Sequence, residues 1–475
     1  MTRPRSLWTS AAFALALAVS GLMSVFLLRI PVQLSDSFTE FMSVHEGTVW
    51  TVVKAGFDGG PYLRPFRRGL IKVVFELSGG NYQLAFRGFQ VIQLVALLVL
   101  VVRALPVRSR DDAAVVPMTL ALVLAGHTFA AAILEGLPIN HFLTILVCCA
   151  AAVNLLRARP SWLVDLSAVV LLIFSMLTIE TGLVVSAIFV SGYAVGYRGV
   201  SRGGLTAIVL CVVAYGVGRF GLLEGTTPGL DERSAGFGFR VLDTAELIRR
   251  FGANPLPFYL YNVACAMSSV LFAEPRGGVW GFVYGWTRGH PEPWRVISVV
   301  STTTMTGLIL VFAVRRFGQW RRGLFQTDTD RMVAMFFAVL CANAVFAFAY
   351  EKDAIMGPAG LFYALAASAV LRELVTGART LNVPRPILAM AMMIVACGWG
   401  IRLVGIHYSL QVRELSVRNE WAYYEDWEDK QDFEVPFTPE EVAIRDSLRR
   451  QAIRGSSNVR RLESRLADQF LDVTQ

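Results

Sequence analysis

Long apolar runs restrict the fold of this chain more than any other feature. A helix needs ~20 apolar residues to cross the hydrocarbon core of a bilayer, where no backbone group can be left unpaired. Runs of about that length lie near residues 8–30, 83–105, 114–134, 141–157, 162–178, 182–197, 204–222, 294–314, 331–350, 356–372 and 385–405. Only 17% of the residues are charged, against about 25% in an ordinary soluble domain, and mean hydropathy is +0.52. Lipid is therefore the main solvent. The expected fold class is all-α, a polytopic transmembrane helix bundle of about eleven spans.

A twelfth apolar run, 257–273, is arbitrated by charge. Arginines near cytoplasmic ends set topology, and Arg3/Arg5, Arg103/Arg108/Arg110, Arg157/Arg159, Arg198/Arg202, Arg315/Arg316/Arg321/Arg322 and Arg372/Arg379/Arg385 all flank spans. Strict alternation keeps them on one side only if 257–273 does not cross fully, so a re-entrant or interfacial segment is expected there. The N-terminus is then inside and the C-terminus outside. Two large extracytoplasmic loops follow, 31–82 and 223–293, together with a tail over 406–475 behind a membrane module of 1–405. Thr2-Arg3-Pro4-Arg5 and the run behind it read as a retained first helix, because no small-residue cleavage site precedes Ile30.

The same arginine clusters account for the net charge of +8 and argue against nucleic-acid binding. Six cysteines in apolar stretches, none in CxxC spacing, make no disulfide or metal framework. Four lysines against many arginines, with abundant alanine, suit a GC-rich bacterial genome and hence the bacterial cytoplasmic (inner) membrane. No Walker A, zinc-ligand or glycine-rich nucleotide motif is present, so no cofactor is expected.

Ionisable residues at membrane depth are costly and mark function. Under this topology they gather on the extracytoplasmic side. Asp36 and Glu40 follow the first span and, four apart on a helix, share a face, as a paired general base would. Ser37-Phe38-Thr39-Glu40 is also a capping box, which would give Glu40 a structural role instead. Tyr62-Leu63-Arg64-Pro65-Phe66-Arg67-Arg68 sets three arginines against the positive-inside rule; a planar guanidinium suits a phosphate, or equally an anionic headgroup. His127 lies in the outer half of the third span, ahead of Glu135, Asn140 and His141. Glu180 sits at the Ile179-Glu180-Thr181-Gly182 break. Glu351-Lys352-Asp353 caps the ninth span, with Lys352 as a candidate phosphate contact or part of a solvated helix end. In the tail, Trp421, Tyr423, Tyr424 and Trp427 alternate with acids. Thr438-Pro439-Glu440-Glu441 is a helix start, and Val459, Leu462, Leu466 and Phe470 have helical spacing.

This pattern resembles the GT-C glycosyltransferases: a short inner N-terminus, one span, then an acidic motif opening a large outer loop. Tyr62-Leu63-Arg64-Pro65 is similar to the Tyr-Arg-Pro-Leu element of transmembrane mannosyltransferases with tetratricopeptide repeats. Ile179-Glu180-Thr181-Gly182 is similar to their later Lys-Glu-Thr/Ser element, and His127 sits where they carry a His-rich loop. The resemblance covers roughly residues 1–200 and is architectural beyond. It implies a GT-C-like fold and a sugar donor linked to polyprenyl phosphate. It makes Asp36 the catalytic carboxylate and sets Arg64 near the lipid phosphate; taken with the charge placement above, the catalytic candidates are Asp36 and Glu40, and the substrate-binding candidates Tyr62, Arg64, Arg67, His127, Glu180 and Lys352. No metal is implied. The partners would be the lipid-linked donor, an extracytoplasmic acceptor, membrane lipid and a protein met through the tail. The competing readings are a transporter or lipid-carrier flippase, and a non-catalytic envelope-assembly protein.

Overall fold

A computed structural model describes residues 7–57, 63–135, 138–223, 245, 248–249, 254, 256–273, 280–290, 292–348, 353–380, 385–424 and 437–454; the side chains of 35, 36, 280, 281, 284, 376–380, 385–389 and 391 are excepted. The described residues form helices and no strands. In chain order the α-helices are α1 (Leu7–Leu27), α2 (Ser35–Val44), α3 (Val49–Ala55), α4 (Pro65–Leu77), α5 (Tyr82–Ala104), α6 (Arg110–Leu124), α7 (His127–Ile133), α8 (His141–Leu156), α9 (Trp162–Met176), α10 (Val184–Ala194) and α11 (Arg202–Gly216). They continue with α12 (Leu256–Phe272), α13 (Trp280–Thr287), α14 (Pro293–Trp320), α15 (Asp328–Phe346), α16 (Gly357–Thr380), α17 (Arg385–Ala422) and α18 (Pro439–Ile453). Two 3-10 turns, Glu180–Leu183 and Asp353–Met356, lead into α10 and α16, and a π-helical segment, Val217–Leu222, continues α11.

Seven helices are long and apolar enough to cross a membrane, and α6 with α7 makes an eighth if counted as one span bent by 62°. The apolar helices α8, α9, α10 and α12 are shorter. Their lipid-facing character is direct: Leu17, Leu22, Leu163, Leu166, Leu210, Val213, Val311 and Ile394 are exposed, while Leu94, Leu97, Leu143, Phe336 and Phe362 are buried inside the bundle. An apolar exterior is stable only in lipid.

Alternating helices sort the connections into two ends. At one, Thr9 donates to the Val107 carbonyl (3.0 Å), Arg372 meets Asp112 (2.6 Å), and Arg157 meets Asp328 (2.6 Å). This is the arginine end. At the other, Arg87 donates to the carbonyls of Ile30 and Pro31, and the Phe66 amide to Leu177 (3.0 Å). The run 257–273 behaves unlike the others. Asn262 donates to the Phe348 carbonyl at this second end, whereas the Leu271 carbonyl accepts from Thr306, the middle of α14. α12 therefore stops about halfway along its neighbour.

The loop between α1 and α5 is itself helical. Phe41 of α2 packs edge-on against Phe75, Tyr82 and Phe86, and buried Lys72 donates to the His45 carbonyl (2.9 Å). Gly56 is the C-cap of α3, and a Cβ there would lie 2.5 Å from the Pro65 Cα, so the close approach of the two segments requires glycine. α17 runs without interruption through 405 to Ala422. Its 38 residues span about 57 Å, far more than the ~30 Å hydrocarbon core.

Candidate functional site

The site is assembled by the start of α4 and the end of α9. Pro65 takes the first position of α4, where its missing N–H costs nothing and its fixed φ is already helical. The next amide, Phe66, donates to Leu177 at the end of α9, and the Phe66 ring stacks on Phe174 at 6.0 Å. That docking carries Arg64 to the turn after α9. There Gly182 folds back so closely that a Cβ would lie 2.1 Å from the Ser175 carbonyl, and Ser175 donates its hydroxyl to the Gly182 carbonyl.

Glu180 stands at the head of that turn. Its Oε2 accepts from Arg64 Nε and Nη2, both at 3.0 Å, and its Oε1 lies 3.5 Å from Arg219 Nη1. Arg219 is buried in the π-helical segment and also donates to the Tyr215 hydroxyl (3.2 Å). One turn along α4, Arg67 pairs with Glu40 of α2. Three guanidiniums and two carboxylates are thus gathered at one end of the bundle, and a buried cluster of this kind needs each charge compensated. Four of the residues that the sequence singled out, Glu40, Arg64, Arg67 and Glu180, share this cluster.

His127 and Asp353 form a separate pair. His127 opens α7 just after the bend at Gly126, and its Nε2 lies 3.0 Å from Asp353 Oδ2. Asn343 holds the turn that carries Asp353, donating to the Ile355 carbonyl and accepting from the Ala359 amide. Fifteen residues of α6 place His127 about 22 Å from the arginine end, toward the second end of the bundle. The two 3-10 turns follow α9 and α15, both of which start at the arginine end beside the Arg157–Asp328 pair, so the two groups occupy the same end of the molecule.

Other expectations meet the structure differently. The capping box Ser37-Phe38-Thr39-Glu40 does not form: Leu34 is the N-cap of α2, Ser37 lies inside the helix, and Glu40 pairs with Arg67 instead. The physical reason is that Phe38 and Phe41 are both fully buried, which requires α2 to begin before Ser37. Asp36 belongs to the first turn of α2, so Asp36 and Glu40 share one helix as expected; the Asp36 side chain lies outside the described residues. Tyr62, Glu351, Lys352, Trp427 and the apolar series after Ser457 lie outside them too. Asn140 caps α8 and donates to the Ala132 carbonyl, a structural role.

Arg219, Tyr215 and Asp353 as the partner of His127 were missed from sequence. Arg219 had a readable signal, being an arginine inside the run 204–222, at the end opposite to the other arginine clusters. Asp353 had none, since its partner is 226 residues away.

A cavity of about 40 Å³ lies at the arginine end, with Asp112, Arg157, Asp328 and Arg372 on its wall. It has room for a few water molecules, and all four charged groups are already engaged with each other, so we do not place the chemistry there. Among the described residues no group of three or more His, Cys, Asp or Glu is arranged to hold a metal. The chain matches no protein-family model, no curated protein and no solved structure.

Proposed function

We propose that this chain is a membrane glycosyltransferase of the GT-C type that moves a sugar from a polyprenyl-phosphate donor to an acceptor hydroxyl on the extracytoplasmic side. The observation that carries the reading is the gathering of Arg64, Arg67 and Arg219 around Glu180 and Glu40 at a single end of the bundle. Guanidinium forks stabilise a phosphate leaving group, and a nearby carboxylate takes the proton of the attacking hydroxyl. With Glu40 committed to Arg67, Asp36 is the proton acceptor in this scheme. The bond from the anomeric carbon to the phosphate oxygen breaks, a glycosidic bond to the acceptor oxygen forms, and the electron pair leaves on the phosphate.

Counting the bent pair and the shorter helices α8, α9 and α10 with the seven long ones gives eleven crossings, with α12 as the re-entrant element. The positive-inside rule then puts the arginine end in the cytoplasm of a bacterial inner membrane, with the carboxylate and arginine cluster outside. Tyr62, His127 and Lys352 remain candidate substrate contacts.

A transporter or flippase is the second reading, favoured by the broken span α6/α7 and the 3-10 turns before α10 and α16, since transporters bind at helix breaks. Those breaks lie toward one end of the bundle, which fits a one-sided site better. One experiment separates the readings. Asp36→Asn and Arg64→Ala, each expressed normally in membranes, are assayed for incorporation of labelled sugar from polyprenyl phosphate. The transferase reading expects transfer to fall at least 100-fold in each; full retention in both rejects it.

A further inference from the structure

The segment that leads from α1 into α2 has no regular structure of its own, yet almost every polar backbone group in it is engaged. Gln83 donates to the carbonyls of Leu28 (3.0 Å) and Arg29 (3.2 Å). Arg87, buried in α5, donates to the carbonyls of Ile30 (3.1 Å) and Pro31 (2.9 Å). The remaining contacts come from the far end of α17. Arg418 reaches the Arg29 carbonyl (3.3 Å), Trp421 Nε1 donates to the Val32 carbonyl (2.7 Å), and Arg413 donates to the Gln33 side chain (2.7 Å). Five consecutive carbonyls are held between two helices.

The eighth contact is of a different kind. α2 starts at Leu34, a residue whose side chain has no oxygen to cap a helix. The Leu34 amide instead donates to Glu420 Oε2 at 3.3 Å, from 386 positions along the chain. A carboxylate at a helix N-terminus both accepts from free N–H groups and complements the helix dipole. Trp421 completes the seat: it is fully buried, meets Phe38 of α2 edge-on at 6.3 Å, and stacks on Tyr424 at 6.2 Å. α18 closes the clasp from behind. Gln451 donates to the Gly80 carbonyl and accepts from the Gln83 amide, Arg418 donates to the Ala452 carbonyl, and Phe437 meets Phe38 at 5.4 Å.

We infer that residues 413–424, at and just past the end of α17, are a working part of the candidate site: Glu420 caps α2 in trans and Trp421 anchors its approach, making both of them positioning residues for Asp36 and Glu40. The catalytic consequence rests on the transferase reading, while the clasp rests on contacts alone. A helix of ten residues is too short to hold itself in water or at an interface, so its placement depends on what grips its ends. α2 is gripped by a helix that begins at the opposite end of the bundle. The described part of the tail is thereby turned inward, onto the protein's own first loop.

The test uses the full-length chain in lipid nanodiscs and two readouts. Hydrogen exchange of the amides in 35–44 is expected to quicken about tenfold in Trp421→Ala and about threefold in Glu420→Ala and Trp421→Phe, with peptides from α8 and α15 unchanged. Glu420→Gln keeps an acceptor oxygen and is expected to exchange as the parent does. Unchanged exchange in α2 for both Glu420→Ala and Trp421→Phe, which preserves the ring and guards against misfolding of the alanine variant, overturns the clasp. In the second readout, transfer per folded molecule falls about tenfold in Glu420→Ala, donor KM stays put, and Glu420→Gln restores the rate. Faster exchange with undiminished transfer overturns the positioning role. A parent protein with no transfer at all rejects the transferase reading, and the exchange data still judge the clasp.

Discussion

The two ends of the bundle both carry partly buried ion pairs, but they use their acids differently. At the arginine end four aspartates serve helix starts, while Glu373, late in α16, pairs with Arg316. Asp112 and Asp330 close capping boxes with Ser109 and Thr327, Asp165 accepts from the amide and hydroxyl of Ser201, and Asp328 opens α15 against Arg157 and Tyr197. These carboxylates have both oxygens engaged. The Tyr197 phenol, in the turn after α10, is pushed up to about 12 by burial, against the pull of Arg157, and so stays a donor to Asp328 at any ordinary pH. At the other end Glu40, Glu180 and Asp353 close no capping box, and they face arginines or a histidine brought in from distant segments. Glu40 Oε2 and Asp353 Oδ1 are buried and accept no hydrogen bond from the described residues. Acids that finish helices stabilise a fold; acids with spare acceptor capacity are what a ligand or a proton needs.

That contrast breaks or sharpens under mutation. The largest effect is expected from Arg64→Ala, which should lower sugar transfer about 1,000-fold (~4 kcal/mol) by removing a stabiliser of the leaving phosphate. Glu180→Gln should be non-additive with it in a double-mutant cycle, because the two groups are in contact. Next, Asp330→Ala at the arginine end should cost about 3 kcal/mol of stability, through a lost cap and a Trp320 indole N–H left without its acceptor, while Arg316 keeps Glu373, and should lower the melting temperature in detergent. Transfer per folded molecule should be unchanged; a specific loss there would erase the distinction between the ends.

A matched pair of glycines gives a finer comparison. A Cβ at Gly182 would meet the Ser175 carbonyl at 2.1 Å, and one at Gly199 would meet the Leu155 carbonyl at 2.0 Å. Each alanine substitution should cost roughly 2 kcal/mol, since backbone must move. Gly182→Ala displaces Glu180 and should also lower transfer, whereas Gly199→Ala should affect the melting temperature alone. The smallest effect is expected from His127→Asn: about tenfold in transfer, ~1.4 kcal/mol, with normal expression. An unaltered rate would make the His127–Asp353 pair a structural contact.

Much of the fold was legible because lipid imposes a simple rule. The run 141–157 became α8 almost residue for residue, and Thr438, Pro439 and Glu441 form the expected capping box of α18. The run 257–273 became α12, which ends against the middle of α14. The run 114–134 did not announce its bend at Gly126, since hydropathy is blind to direction. The run ending at 405 did not announce that α17 continues to Ala422, because its polar half carries no apolar signal. In the site, the motif residues Arg64, Arg67, Glu40 and Glu180 were visible as costly charges in the wrong place. Ser37 and Glu40 showed the opposite failure: a local capping pattern yielded to the burial of Phe38 and Phe41.

By itself, then, the sequence determined that the chain lives in lipid as a helical bundle, and that its unusual charges collect at one end. Hydropathy and charge act locally, over about twenty residues, and so can be read from a string. Which charge meets which was decided only by tertiary structure. Arg64 finds Glu180 across 116 positions, His127 finds Asp353 across 226, and Leu34 finds its cap at Glu420 across 386. Those pairings follow from where packed helices end, and helix packing is a property of shape that no local pattern encodes.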